Sequence, residues 1–321
     1  MVELLAPAGS REALVAAVEN GANAIYLAGN AFGARAYASN FDREALREAI
    51  HFAHLRKVAI HVTVNTIVAD EEMGPLRDYL RFLYEAGADA VLVQDLGVAR
   101  VAHETVPDLP LHASTQMSVS SLEGVRALAE LGFSRVVLAR ELSLKEIRHI
   151  CAHATIEIET FMHGALCVCY SGQCLMSSMI GGRSGNRGRC AQPCRLPYTL
   201  VDEKGQDVLG DEAGSYLLSP RDLSTIDVIP DLIEAGVSSL KIEGRMKRPE
   251  YVATVVRTYR EAIDTYYAGK GYAVTQEERD DLAQIFNRDF TTAYLEGRPG
   301  KAMMSDRRPN NRGLLIGRVT A

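Results

Sequence analysis

The chain has 321 residues, 47% hydrophobic and 24% charged, with a formal net charge of −6. That length suits one (β/α) barrel with insertions or two modest domains, and no apolar run approaches the roughly 20 residues of a membrane span. The acidic balance argues against a protein that coats nucleic acid indiscriminately. Met1-Val2-Glu3-Leu4-Leu5-Ala6-Pro7 lacks the basic region and apolar stretch of a signal peptide. The expected compartment is the reducing cytoplasm, where clustered cysteines are more often metal ligands or catalytic groups than disulfides.

In chain order, strands are predicted at Glu3–Leu5, Ala24–Leu27, Val58–Val64, Ala90–Val93, Leu111–Ala113, Arg135–Leu138, Ile156–Thr160 and Ser239–Ile242. Amphipathic stretches lie between them. Over Asp42–Leu55, Ala45, Leu46, Ala49, Ile50 and Ala53 recur at helical spacing behind an Asp42 cap. Strand–helix alternation of this kind predicts a TIM-type (β/α)8 barrel, with a doubly wound open sheet as the alternative. The segments "ENGANAIYL", "EAGADAVLV", "ELGFSRVVL" and "EAGVSSLKI" repeat a Glu-x-Gly that closes a helix before a strand. They precede strands two, four, six and eight, as two-unit pieces of a barrel would.

The spacing of those glycines exposes an insertion. Gly21 to Gly87 is 66 residues and Gly87 to Gly132 is 45, but Gly132 to Gly236 is 104. The excess falls between strands seven and eight. The expected organisation is therefore a barrel over 1–163 and 216–268, a Cys-rich insertion over 164–215, and a tail over 269–321. Within the insertion, "YTLVDEKGQDVLG" reads as a hairpin turning at Lys204-Gly205. Tyr251–Tyr267 reads as the last barrel helix, and Thr275 with Glu278 as a capping box. The closing "RGLLIGRVTA" starts like a strand with no partner, which suggests the start of a C-terminal β domain in a longer chain.

In such a barrel the chemistry gathers at the C-terminal ends of the strands. Polar residues there include Asn65, Gln94, Asp95, Ser114, Gln116, Arg140, Glu141, His163, Glu243 and Arg245. The insertion would hang over this mouth. From Thr160 to Val201 there is no Asp or Glu, yet Arg183, Arg187, Arg189 and Arg195 fall there. That pattern suits an anionic ligand or a specific RNA contact, or a solvated loop whose arginines pair with acids elsewhere.

Cys151 lies in a helical stretch and reads as a small buried hydrophobe. The others follow the pattern Cys167-x6-Cys174-x15-Cys190-x3-Cys194, with Cys169 extra. Four thiolates can hold zinc or an iron–sulfur cluster. The paired C-x2-C knuckles of zinc ribbons are missing, which disfavours zinc without removing it. A nucleophilic cysteine needs a nearby base, and His163 is the candidate for Cys167. A purely structural role is the remaining reading.

"HGALCVCYSGQCLMSS" followed by "GGRSGNRGRCAQPCRLPY" resembles the signature of peptidase family U32, the collagenase-like peptidases. "LLAPAGS", "LSPRDL" and "SLKIEGRMKRPEYV" resemble its other shared blocks. The resemblance implies a function that departs from the family's name. Its better-understood bacterial members hydroxylate a tRNA wobble uridine to 5-hydroxyuridine, with prephenate as a genetic requirement and the expected hydroxyl source, or a cytidine of 23S rRNA. A third branch hydroxylates ubiquinone. Iron–sulfur ligation by cysteines goes with this fold, and by position it assigns a 4Fe–4S cluster to Cys167, Cys174, Cys190 and Cys194, with zinc as the alternative.

On this reading His163, Glu243 and Arg245 are the catalytic candidates. Arg183, Asn186, Arg187, Arg189, Gln116 and Lys247 are the substrate-binding candidates, for RNA phosphates or a small dicarboxylate such as prephenate. His163 has an alternative role as a brace for the insertion, and Arg245 as a partner for Glu243. A collagenase-like peptidase is the runner-up function, although neither His-Glu-x-x-His nor Gly-x-Ser-x-Gly occurs. A zinc-stapled binding module is the third.

Overall fold

A computed structural model describes residues 1–35, 38–269, 271–314 and 317. In the four repeated segments Gly21, Gly87, Gly132 and Gly236 take φ of 93°, 87°, 83° and 92°. This is the left-handed region that suits glycine and turns a helix end into the next strand. Helix starts are equally explicit. The Asp42 carboxylate accepts from the Ala45 amide at 2.8 Å and opens the helix Arg43–His54, which buries Leu46, Ala49, Ile50 and Ala53.

The strands are β1 (Glu3–Pro7), β2 (Ala24–Leu27), β3 (Ala59–Val64), β4 (Ala90–Val93), β5 (Leu111–Ala113), β6 (Arg135–Val137), β7 (Glu157–Ala165), β8 (Asp222–Ser224), β9 (Ser239–Ile242) and β10 (Phe290–Thr291). Strands β1 to β7 pair in sequence, all parallel, and β9 pairs with both β7 and β1. The sheet therefore closes as an eight-stranded TIM-type barrel, and the open doubly wound alternative falls away.

Two details differ from the sequence expectation. Strand seven was expected to stop at Thr160 but runs on to Ala165. Its extra residues His163, Gly164 and Ala165 pair antiparallel with Ser224, Leu223 and Asp222 of β8, and β10 lines up beside β8. The short β8 was not anticipated, because three residues carry too little periodicity to register. The tail folds back onto this outlying sheet through Ser305 N to Ser219 O at 2.7 Å and Tyr216 N to Asp306 O at 2.8 Å. The helix Gln276–Ile285 carries the expected Thr275–Glu278 capping box, and the turn at Lys204-Gly205 closes a Val201–Asp207 bridge. Most of the final apolar run lies outside the described residues.

The barrel interior is layered. Leu5, Tyr26, Leu92, Val137 and Phe161 form an apolar layer. Elsewhere in the interior Arg135 holds Glu3 at 2.5 Å and Glu159 at 3.2 Å, and Lys241 holds Glu159 at 2.8 Å. Among the described residues no helix is long and apolar enough to cross a membrane.

Candidate functional site

The insertion arches across the mouth as a roof, fixed at three feet. The first rests on the ends of β5 and β6. Gly172 sits so close to Gln116 that a Cβ would stand 2.1 Å from the Gln116 carbonyl oxygen, and its φ is +77°. Neither condition admits a side chain. Beside it Ser171, fully buried, donates from its amide to Glu141 Oε1 at 3.1 Å, while its Oγ accepts from the Arg140 amide at 3.2 Å.

The second foot rests beyond β3. The Asn186 carbonyl accepts from the Ile67 amide at 3.1 Å, and Arg187 grips Glu72 with two bonds of 2.7 and 2.8 Å. The bonds from Arg187 hold the Glu72 carboxyl at about 2. The third foot is Arg195, which donates to Leu166 O at 2.9 Å, Ser219 Oγ at 2.7 Å and Pro220 O at 2.6 Å.

Burial raises the Cys194 thiol, Arg195 opposes this, and Cys167, Cys190 and Cys174 raise it further, so those three lie within electrostatic reach of Cys194. Cys169 is raised by burial first, then by Cys174, against which it stands within hydrogen-bond reach. Cys167 and Cys190 are exposed and the other three partly so. Among the described residues no three His, Cys, Asp or Glu side chains stand close enough to hold one metal ion. Four thiolates are the kind of donor set an iron–sulfur cluster takes, one on each of four irons.

Beneath the roof, the loop after β2 supplies a residue the sequence reading missed. Arg35, at φ 70°, puts its guanidinium 3.1 Å from Glu243 Oε1. Asn65 accepts from the Ala34 amide at 3.0 Å, and Arg245 donates to the Ala34 carbonyl and to Thr63 Oγ1 at 3.2 Å. Arg245 is thus buried and occupied in holding the Arg35 loop; its proposed pairing with Glu243 is taken by Arg35. Burial pushes the Glu243 carboxyl up, but Arg35, Arg245 and Arg140 outweigh it and leave the group below the usual range. A cation in a glycine-rich loop just after a barrel strand was the available signal for Arg35.

Other candidates are placed as follows. His163 faces the helix Pro249–Tyr267. Its Nδ1 stands 3.2 Å from Tyr259 Oη, its Nε2 is buried without a partner among the described residues, and burial pushes it down to about 3. That neutral, enclosed imidazole has the bracing environment, and it makes no hydrogen bond to Cys167. Lys247 is lowered to about 8 by burial and lies against the Phe286 ring, beside the buried Asp222–Arg288 pair. Arg183 is exposed and donates from Nε to Arg189 O at 3.2 Å; Arg189 is exposed too. Gln94 Oε1, Gln116 Oε1, Glu141 Oε2 and Thr160 Oγ1 are buried with no partner among the described residues. Polar atoms in that state are ones a bound polar ligand or water would satisfy.

Fold and site together define a (β/α)8-barrel protein whose mouth is roofed by a thiol-rich insertion. The chain belongs to peptidase family U32, whose sequence profile matches residues 9–305. It is 42% identical to tRNA hydroxylation protein P1 of Bacillus subtilis (strain 168), over 93% of this chain and 72% of that protein. It is 40% identical to the 23S rRNA 5-hydroxycytidine C2501 synthase of Escherichia coli (strain K12), over 99% of this chain but only 48% of that protein. It is also 37% identical to a collagenase of Porphyromonas gingivalis (strain ATCC BAA-308 / W83), over 92% of this chain and 73% of that protein. The solved U32 peptidase Mk0906 shares the fold, with a TM-score of 0.51 and 15% identity over 76% of this chain and 94% of that one.

Proposed function

We propose that this protein hydroxylates a nucleobase of a structured RNA, a tRNA wobble uridine or a 23S rRNA cytidine, with a 4Fe–4S cluster held by Cys167, Cys174, Cys190 and Cys194. The observation that carries the reading is a roof bearing those four cysteines, tied over a charged barrel mouth by Ser171 and Arg187. The relatives named for tRNA and rRNA hydroxylation supply the reaction class. A bound cluster supplies one-electron redox chemistry.

The rest is the work of this chain's own groups. Hydroxylation replaces a base C–H with C–OH, a two-electron oxidation, so the co-substrate that gives up the hydroxyl group must take up those two electrons. A small dicarboxylate such as prephenate would meet guanidinium groups at Arg35 and Arg140. Glu243, kept ionised by Arg35, can accept a proton beneath the roof. Arg245 positions the loop that carries Arg35. The target base must leave its stack to reach this depth, which favours a loop nucleotide.

A peptidase reading draws on the relative named collagenase. It needs an activated nucleophile, and the His163 ring is engaged with Tyr259 rather than a cysteine.

The test joins two measurements: iron and acid-labile sulfide in anaerobically purified protein, and nucleoside mass analysis of tRNA and rRNA from cells lacking the gene. Bound iron with sulfide, and loss of one oxygen-bearing pyrimidine, are the expected results. Zinc without sulfide, or an unchanged nucleoside profile, would overturn the proposal.

A further inference from the structure

The outer surface of the roof carries an unusual run of exposed apolar side chains. Tyr170 is 62% exposed, Leu175 61%, Met179 83% and Ile180 65%. Their exposure is built in. Ser171, next to Tyr170, is fully buried and bonded to Glu141, and the Tyr170 carbonyl accepts from the Gln173 amide at 3.0 Å. The Tyr170 ring is therefore turned outward from an anchored backbone.

In the helix Met176–Gly181, Ser177 is buried and accepts from the Ala191 amide at 2.8 Å. Helical geometry then turns Met179 away from the body of the protein, with Ile180 beside it. A concentration of this kind on a soluble surface marks an interaction site. It lies in the segment from Thr160 to Val201 that has no acidic residue, next to the exposed Arg183 and Arg189, and it flanks the exposed thiols Cys167 and Cys190.

From this we infer that the roof's outer face is the docking surface for an RNA loop, with Tyr170 as a stacking platform and Met179 and Ile180 as a wedge between bases. The inference rests on the RNA reading above and names the part of the protein that recognises the substrate. The occupant follows from the charge and the chemistry. A segment without acidic residues that carries the exposed Arg189 guanidinium favours phosphates, and aromatic and apolar side chains stack on or separate unpaired bases. A duplex hides those base faces, so the surface selects loops over helices.

The test compares two synthetic RNAs by fluorescence anisotropy: a stem-loop with an unpaired pyrimidine loop, and the same stem as a blunt duplex. The proteins are wild type, Tyr170→Ala, and the double variant Met179→Ser with Ile180→Ser. All three positions are exposed, and iron content and circular dichroism check that the fold is kept. Wild type is expected to prefer the stem-loop. Each variant should lose about tenfold on the stem-loop and leave duplex binding and its salt dependence unchanged. Variants that bind the stem-loop as wild type does would overturn the surface assignment while leaving the RNA reading intact. Wild type that binds neither RNA would overturn both. A wild-type dimer that the double variant converts to monomer would assign the face to a second copy of the chain and also overturn the inference.

Discussion

Glu159 is fully buried, and its carboxylate is held by Lys241 at 2.8 Å and Arg135 at 3.2 Å. Burial raises it, yet those cations outweigh burial and keep it ionised. Removing the charge leaves a buried ammonium and guanidinium short of a partner, so Glu159→Gln is expected to destabilise the barrel by about 3 kcal/mol in urea unfolding. A loss indistinguishable from zero would mean that Glu3 and Glu157 take over. His163 makes a pH prediction. Its folded value is about 3 because of burial and Lys247, against about 6.5 for an unfolded histidine. Below that unfolded value the unfolded chain takes up a proton that the folded chain refuses, so stability is full above it and falls with pH. Between pH 7 and pH 5 the expected loss from this residue is about 2 kcal/mol. His61 and His112, also lowered by burial, add to the slope. Urea midpoints at the two pH values should therefore lie closer together in His163→Phe than in wild type. An unchanged gap would assign the slope elsewhere.

At the scale of elements, the roof is held by contacts too specific to replace. Gly172→Ala places a Cβ on the Gln116 carbonyl and strains a φ of +77°. It is expected to detach the first foot, lower iron retention and speed proteolysis within the insertion while the barrel's circular dichroism persists. Normal iron and protease resistance would show that the other two feet suffice. Arg187, which the sequence offered as a substrate ligand, is bonded instead to Glu72 and Ile67. Its replacement by Ala should loosen the second foot and leave the salt dependence of RNA binding nearly as it was. A clearly flatter salt slope would restore Arg187 to the phosphate contacts.

Across the whole molecule, the cysteine set separates two classes of thiol. Cys194→Ser is expected to lower bound iron, and Cys169→Ser to leave it near wild type, measured on anaerobic protein. Equal iron in both variants would overturn the ligand assignment. The eight barrel strands, the Glu-x-Gly helix ends and the insertion were legible because each rests on local chemistry or on periodicity along the chain. The four thiols stand out as a group in the sequence because their crowding in an acid-free stretch is a one-dimensional signal. Arg35 was not, because its meaning depends on Glu243, some two hundred residues away and adjacent only once the barrel closes. The same holds for Asp222 and Arg288, joined by the outlying strands β8 and β10.

The sequence by itself determined the strand–helix order and the site of the insertion, since helix ends and alternating apolar runs are properties of neighbours in the chain. Tertiary structure alone decided which charges meet. It engaged Arg187 and Arg195 as anchors, turned His163 toward Tyr259, set Arg35 on Glu243 and left Tyr170, Met179 and Ile180 facing outward. The physical reason is that an ion pair or a buried ring is defined by distance and desolvation, and both are fixed only when the barrel closes and the roof is tied across it.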